Sequence, residues 1–171
     1  MLPTFIAIGT IIAVTLLWII FTQRKLVALE ENTNNAMNQI GAQLSGQYDA
    51  LLSLLDLSTV YGKKESEALI ELVQGKRRLL NGRSLPKEVL AQEETVLEVL
   101  GVIHIMARQY PQLKTDRNYL HAIDAVIAFE HMLRTSRMVY NNSVTKLNRA
   151  IRMFPVSFIT GFLGFQTRAY L

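Results

Sequence analysis

The sequence has no cysteine among its 171 residues, and it has only four prolines. Without cysteine, the chain has no thiol nucleophile, no disulfide framework and no cysteine-based metal site. Acidic residues are missing from the last quarter of the chain, since all fourteen lie at or before Glu130. The part after Glu130 is therefore strongly basic.

Charge is also missing near the N-terminus, where the run from Leu2 to Thr22 contains no Asp, Glu, Lys, Arg or His. As a helix this run is roughly 30 Å long, about the thickness of the hydrocarbon core of a bilayer. A cleaved signal peptide would need a basic start, a shorter apolar core and a small-residue cleavage site. The sequence has none of these, so we interpret residues 1–23 as an uncleaved transmembrane anchor. Arg24 and Lys25 follow it, which predicts that this side is cytoplasmic.

Apolar residues recur every three to four positions after the anchor, which predicts amphipathic helices. No proline interrupts the pattern before Pro86, so the first helix continues from the anchor. Gly62 is expected to be its left-handed C-cap, and Ser84 to cap the third helix. Tyr110 precedes a proline and should end that helix. The first helix is predicted to end at about Tyr61. The second, third and fourth helices are predicted at about Lys64–Leu80, Leu85–Gln109 and Asp116–Phe154.

These helix lengths predict an all-α fold with a definite arrangement. Residues 24–155 are expected to form an up-down-up-down four-helix bundle with two long and two short helices. Residues 156–171 are apolar and basic but too short and glycine-broken to span a membrane. We expect this C-terminal segment either to lie at the membrane surface or to fold against the base of the first helix.

A polar layer is predicted inside the bundle. A heptad register starting at Ile123 places Glu130 and Arg137 on the apolar stripe of the fourth helix. The layer is either a ligand pocket or a hydrogen-bonded layer that sets helix register. Its predicted members are Gln39, Gln43, Tyr48, Asp49, Glu130, Arg137, Asn141 and Asn148.

Catalytic and metal-binding patterns are not found. A di-iron bundle needs Glu-x-x-His pairs, but Gly101, Asn118 and Ala128 stand three residues before the histidines. H-E-x-x-H, G-x-S-x-G and Walker-type loops are also missing. The sequence therefore predicts no enzyme activity, no cofactor and no metal.

Basic residues form two groups. Those at the membrane end are expected to contact anionic lipid headgroups, at about 1 kcal/mol each. They are Arg24, Lys25, Lys146, Arg149, Arg152 and Arg168. The other group surrounds the turn between the second and third helices: Lys76, Arg77, Arg78, Arg83 and Lys87. No aromatic residues interleave with it to stack on bases, so we predict no nucleic-acid partner.

Several motifs resemble the LemA family of bacteria. They are the run NAMNQIGAQLSGQYD, Tyr110-Pro111-Gln112-Leu113-Lys114, Arg137-Met-Val-Tyr140-Asn141, Phe154-Pro155 and Gly164-Phe165-Gln-Thr-Arg-Ala-Tyr170. The resemblance implies one transmembrane helix, a cytoplasmic helical bundle at the inner membrane and no enzyme activity, with links to membrane proteases by association. Residues 44–54 depart from the family, since they lack its basic residues and proline, which predicts a straighter first helix.

Together these features predict a scaffold that acts at the inner membrane through self-association or contact with other membrane proteins. The alternative is a sensor that binds a small ligand at Glu130 and Arg137. A cavity with unpaired polar groups would favour the sensor, and a closed layer would favour the scaffold.

Overall fold

The chain is all-helical in the part that the structure, a computed structural model, describes, which is residues 2–171. This confirms the predicted fold class. The elements are α1 (Leu2–Ser58), α2 (Lys63–Lys76), α3 (Pro86–Gln109), a 3₁₀ helix (Pro111–Thr115), α4 (Arg117–Arg152) and α5 (Ser157–Thr160).

Helix α1 is continuous through the apolar run and beyond it, as expected for a segment without internal proline. Within residues 2–171 it is the one helix long and apolar enough to cross a membrane, and none of its most apolar window is buried. Large apolar side chains such as Phe5, Ile11 and Phe21 are exposed. A protein surface of this kind suits hydrocarbon rather than water.

The turn after α1 differs from the prediction. Helix α1 ends at Ser58, and Gly62 is the N-cap of α2 with φ −137° rather than a left-handed C-cap. The turn closes without a positive φ because the N–H groups of Tyr61 and Gly62 both donate to the Ser58 carbonyl. A Cβ atom at position 62 would lie 2.9 Å from Cε of Met106, the end of a flexible side chain that can move away.

Helix α2 ends at Lys76, four residues before the predicted end. Residues 77–85, which we call the strap, are not helical and run against α1. A Cβ atom on Gly41 would lie 2.9 Å from the carbonyl oxygen of Leu80. A Cβ atom on Gly82 would lie 2.8 Å from the carbonyl oxygen of Asn34. At these two glycines the backbones of strap and helix approach each other closely.

Polar contacts hold the strap between α1 and α3. Arg77 donates to Oδ1 of Asp49 at 2.6 Å and to Oγ of Ser45 at 2.7 Å. The buried Gln92 of α3 donates from Nε2 to the Arg78 carbonyl at 2.8 Å, and the Tyr48 hydroxyl donates to the Gln92 carbonyl at 3.1 Å. Because α2 ends early, it lacks one turn of backbone hydrogen bonds, and hydrogen bonds between the strap and side chains of α1 and α3 are formed instead.

The start and end of α3 follow local sequence signals. Pro86 occupies the first turn, and the exposed backbone N–H of Leu85 donates to Glu88 at 2.7 Å. Ser84 was wrongly predicted as the cap, because its hydroxyl accepts from the Asn81 N–H instead. The helix stops before Tyr110-Pro111, as predicted.

The chain divides into two compact units. The helical unit is Asn34–Tyr140 with Leu171, and the anchor unit is Met1–Thr33 with Asn141–Tyr170. The core of the helical unit draws on all four longer helices and the 3₁₀ helix. Its buried members are Tyr48, Leu51, Leu54, Leu55, Val73, Val96, Val99, Ile103, Ala107, Leu113 and Tyr119.

The core of the anchor unit is small. Leu26 of α1 is buried with Leu147 and Ile151 of α4, and Val156 and Phe165 pack against them. The C-terminal segment therefore folds onto the base of α1 with these two side chains. Phe158 and Phe162 of the same segment are exposed.

Candidate functional site

The predicted polar layer does not form as a layer. Gln39, Asp49 and Glu130 are exposed, so their assignment to a buried layer was wrong. Asp49 instead pairs with Arg77 of the strap. Glu130 pairs with Arg134 one turn away on the surface of α4, at 3.5 Å.

The error at Glu130 comes from which row of the heptad register was taken as the centre of the buried stripe. Glu130 and Arg137 lie on the row of Ile123, and the row of Val126 lies beside it. The residues of α4 that are buried in the helical unit are Tyr119, Val126, Leu133, Ser136 and Tyr140. The buried stripe of α4 is therefore centred on the row of Val126, and Glu130 lies at the edge of this stripe.

The other predicted members have separate surroundings. Tyr48 is buried and bonded to α3, whereas Gln43 and Asn141 are half-buried. Asn148 is buried in the anchor unit, where its side chain binds the backbone of Arg168. Of the layer, Arg137 is the member whose charge is withdrawn from water.

Arg137 pairs with Glu93 of α3, a residue that the sequence interpretation missed. The side chains are 32% and 16% exposed, and a terminal guanidinium nitrogen donates to the Glu93 carboxylate. A signal for Glu93 does exist in the sequence. It lies four residues after Val89 and three before Val96, both of them apolar, so it shares their side of the helix.

The Arg137 guanidinium is not fully satisfied. Its Nε is buried and has no hydrogen-bond partner. Burial lowers the pKa of Arg137 from its usual value, yet arginine remains protonated in proteins. The site therefore holds a permanent charge with one N–H directed at no acceptor.

A cavity of about 190 Å³ lies beside this ion pair. Its lining combines apolar and charged side chains: Gln47, Glu93, Val96, Leu97, Leu100, Glu130, Leu133, Arg134 and Arg137. Leu97, Glu130 and Arg134 are exposed, so the cavity opens to solvent on their side. With two carboxylates and two guanidinium groups on its wall, it suits a small polar molecule that both donates and accepts hydrogen bonds.

Metal ligands are not clustered in the part of the chain that the structure describes. Groups of three or more His, Asp or Glu side chains are not found there. His104, His121 and His131 are all exposed.

The basic residues at the membrane end divide into two kinds. Arg24, Lys25, Lys146, Arg149 and Arg152 are exposed, as a headgroup contact would require. Arg168 differs from its prediction, because its guanidinium faces Glu30 of α1 at 3.6 Å and its side chain is only 24% exposed. A neighbouring carboxylate competes with any phosphate for this charge.

Of the basic group around the strap, two members are paired within the helical unit. Lys76 lies 3.2 Å from Glu98, and Arg77 is bound to Asp49. Arg78, Arg83 and Lys87 are exposed.

The Asn148 side chain fixes the chain near Arg168. Its Oδ1 accepts from the Arg168 N–H at 2.8 Å, and its Nδ2 donates to the Arg168 carbonyl at 2.9 Å. One amide thus satisfies both polar groups of a residue outside regular structure.

Asn148→Leu is expected to release the segment around Arg168. It removes both bonds at similar side-chain volume, at a cost of about 1 to 2 kcal/mol. Hydrogen exchange of residues 165–170 should speed up by roughly tenfold, since each 1.4 kcal/mol corresponds to a factor of ten. Asn142→Leu, at an exposed position of the same helix, should leave that exchange unchanged. Equal exchange in both variants would contradict the assignment.

The fold and this site define a class of protein, an all-helical chain with one N-terminal helix that is long and apolar enough to span a membrane. Among residues 2–171 there is no cluster of metal ligands. The chain belongs to the LemA family, whose profile matches residues 36–171. It is 23% identical over 155 residues to Protein LemA of Metamycoplasma hominis, covering 88% of this chain and 69% of that protein. The LemA family is not a known enzyme family.

Several residues of the motifs that carry the resemblance lie at packing positions. Leu113 and Tyr140 are buried, and Tyr110 packs against Tyr61 with ring centroids 6.3 Å apart. Gly164 has φ +76°, a conformation that favours glycine, and Phe165 joins the core of the anchor unit. These motif residues thus specify the fold, and Gln47 and Arg137 are the motif residues that line the cavity.

Proposed function

We propose that this protein is a membrane-anchored scaffold without catalytic activity, acting through self-association or contact with other membrane proteins, membrane proteases among them. The anchor crosses the bacterial inner membrane once, with the N-terminus outside. The helical unit then lies in the cytoplasm as part of an up-down-up-down four-helix bundle. Arg24 and Lys25 support this orientation, since cytoplasmic flanks are enriched in basic residues.

An exposed apolar line on α4 carries the scaffold proposal. Leu120, Ile127 and Met138 are 46%, 47% and 63% exposed. Their spacings of seven and eleven residues are close to two and three helical turns, so they share one face. Aligned apolar side chains on a soluble surface are typical of a protein contact.

The mass of the full chain extracted into nanodiscs tests the scaffold, together with the identity of co-purifying chains. We expect a defined homo-oligomer or a stoichiometric partner, and Ile127→Glu with Met138→Glu should dissociate it. His121→Glu adds the same charge at an exposed α4 position off this line and should leave the mass unchanged. A lone monomer for the unaltered chain would contradict the scaffold.

A second candidate function is a sensor of a small polar ligand, and the unpartnered Nε of Arg137 favours it. A carboxylate or carbonyl oxygen in the cavity would pair with this N–H after a shift of the Arg137 side chain, because Nε is buried. Glu93 and Glu130 could accept hydrogen bonds from donors of the same molecule. An unsatisfied buried donor costs about 1 to 3 kcal/mol. A ligand that pairs it recovers this free energy, which gives the cavity a basis for selectivity.

Thermal unfolding of the full chain with a panel of amino acids and small carboxylates tests the sensor. We expect at least one compound to raise the melting temperature with saturation. Arg137→Lys keeps the charge opposite Glu93 but removes Nε, and it should weaken that binding by roughly tenfold. Arg108→Lys, exposed on α3, is the matched control. Equal binding by both variants would exclude the cavity as the binding site.

A further inference from the structure

A second cavity, of about 390 Å³, lies in the anchor unit just after the apolar run of α1. Both α1 and α4 line it with residues three and four positions apart, which places each set on one helix face. The lining is Thr22, Lys25, Leu26 and Leu29 of α1, Lys146, Arg149 and Ala150 of α4, and Met153, Phe154 and Val156 of the segment after α4.

The charged groups of this cavity all have one sign. Lys25, Lys146 and Arg149 line it, and no Asp or Glu does. Within residues 2–171 these three side chains make no ion pair or side-chain hydrogen bond, and all three are exposed. Glu30, a nearby carboxylate on α1, pairs with Arg168. Three cations beside one cavity without a counter-charge are complementary to a phosphate.

The remaining walls are apolar. Leu26, Leu29, Ala150, Met153 and Phe154 offer hydrocarbon surface along the same cavity. A free phosphate would leave this surface wet, whereas an acyl chain would cover it at roughly 25 cal/mol per Å² of apolar area. The cavity also lies directly beside Thr22, where the apolar run ends. A molecule with a phosphate head and an acyl tail fits both halves of the lining.

We propose that this cavity binds one anionic phospholipid, with its phosphate between Lys25, Lys146 and Arg149 and an acyl chain along the apolar wall. This inference rests on the proposed membrane anchorage and adds a defined lipid site to it. It differs from general headgroup attraction, which any exposed cation at the bilayer would share. Arg24 and Arg152 are exposed cations that do not line the cavity.

Native mass spectrometry of the full chain tests the site. The protein is released from nanodiscs of phosphatidylglycerol mixed with phosphatidylcholine, and retained lipids are counted. We expect one phosphatidylglycerol per chain to survive activation that strips phosphatidylcholine. Lys146→Gln with Arg149→Gln should lower its retention by about 25-fold, roughly fivefold per cation removed. Ala150→Phe keeps every charge but fills the cavity, and it should abolish the adduct.

Arg152→Gln is the matched control, since it removes an exposed charge from the same helix outside the cavity. Retention that falls by the same roughly fivefold per charge in Arg152→Gln, or that persists in Ala150→Phe, would overturn the site in favour of general attraction. If inorganic phosphate by itself displaces the bound lipid, the proposal that an acyl chain contacts the apolar wall is wrong. Recovery of each variant in the membrane fraction is measured in parallel. If the unaltered chain does not pellet with membranes, anchorage itself fails, and this outcome is distinct from failure of the lipid site.

Discussion

Gly41→Ala is expected to destabilise the helical unit, although the same change in a helix normally stabilises. Alanine has a better helix propensity than glycine by up to about 1 kcal/mol. At position 41, however, the new Cβ would lie 2.9 Å from the Leu80 carbonyl oxygen and 3.1 Å from the Leu80 Cβ. The strap backbone would have to move, at an overpacking cost of about 1 to 3 kcal/mol. Urea unfolding of the full chain in detergent, followed by circular dichroism, measures the net loss.

Gly101→Ala is the matched control for this substitution. Gly101 also lies inside a helix, and a Cβ there would meet nothing within 4 Å. We expect it to stabilise by about 0.5 to 1 kcal/mol, so the two alanines should change stability in opposite directions. If both stabilise, the strap does not rest on α1 at Gly41.

Glu93→Ala is expected to cost about 2 kcal/mol of unfolding free energy. It leaves the Arg137 charge, already without a partner at Nε, opposite an apolar methyl group. Loss of one partner of a fully buried pair costs about 3 to 5 kcal/mol, and the figure is smaller here because water reaches a third of the Arg137 side chain. The same urea titration measures it.

The control is Glu94→Ala, which removes the same charge from the next, exposed position of α3. It should change stability by less than about 0.5 kcal/mol. A double-mutant cycle with Arg137→Ala then isolates the pair, and the double variant should lose less than the two single variants together. Additive losses would show that the pair contributes no coupling energy.

Helix identity could be predicted from the sequence because it depends on periodicity and on proline. Pro86 and the Tyr110-Pro111 step place both ends of α3 correctly. The end of α2 could not be predicted, because it depends on tertiary contacts. Arg77 leaves the helix to reach Asp49, and Gln92 binds the next carbonyl, partners that lie 28 and 14 residues away.

One of the two paired residues of the candidate site could be predicted from the sequence. Arg137 was identified because its row on α4 is apolar except at Glu130 and Arg137, but its partner was sought on α1 rather than on α3. A single sequence indicates which face of each helix is apolar, but it does not indicate which helix faces pack against each other. Glu93 was missed for this reason. The roles of two glycines of α1 likewise depend on which faces meet, since Gly41 faces the strap and Gly46 faces the Phe129 ring.

The division of the chain into units sets an order of events during synthesis. The helical unit is almost contiguous in sequence, so its core can close once Tyr140 has left the ribosome. The anchor unit joins the earliest residues to late ones, since Leu26 packs with Phe165 and Glu30 pairs with Arg168. Domains generally fold as units during synthesis, N-terminal segments first. Here the apolar run leaves the ribosome first, while the contacts around its base form last.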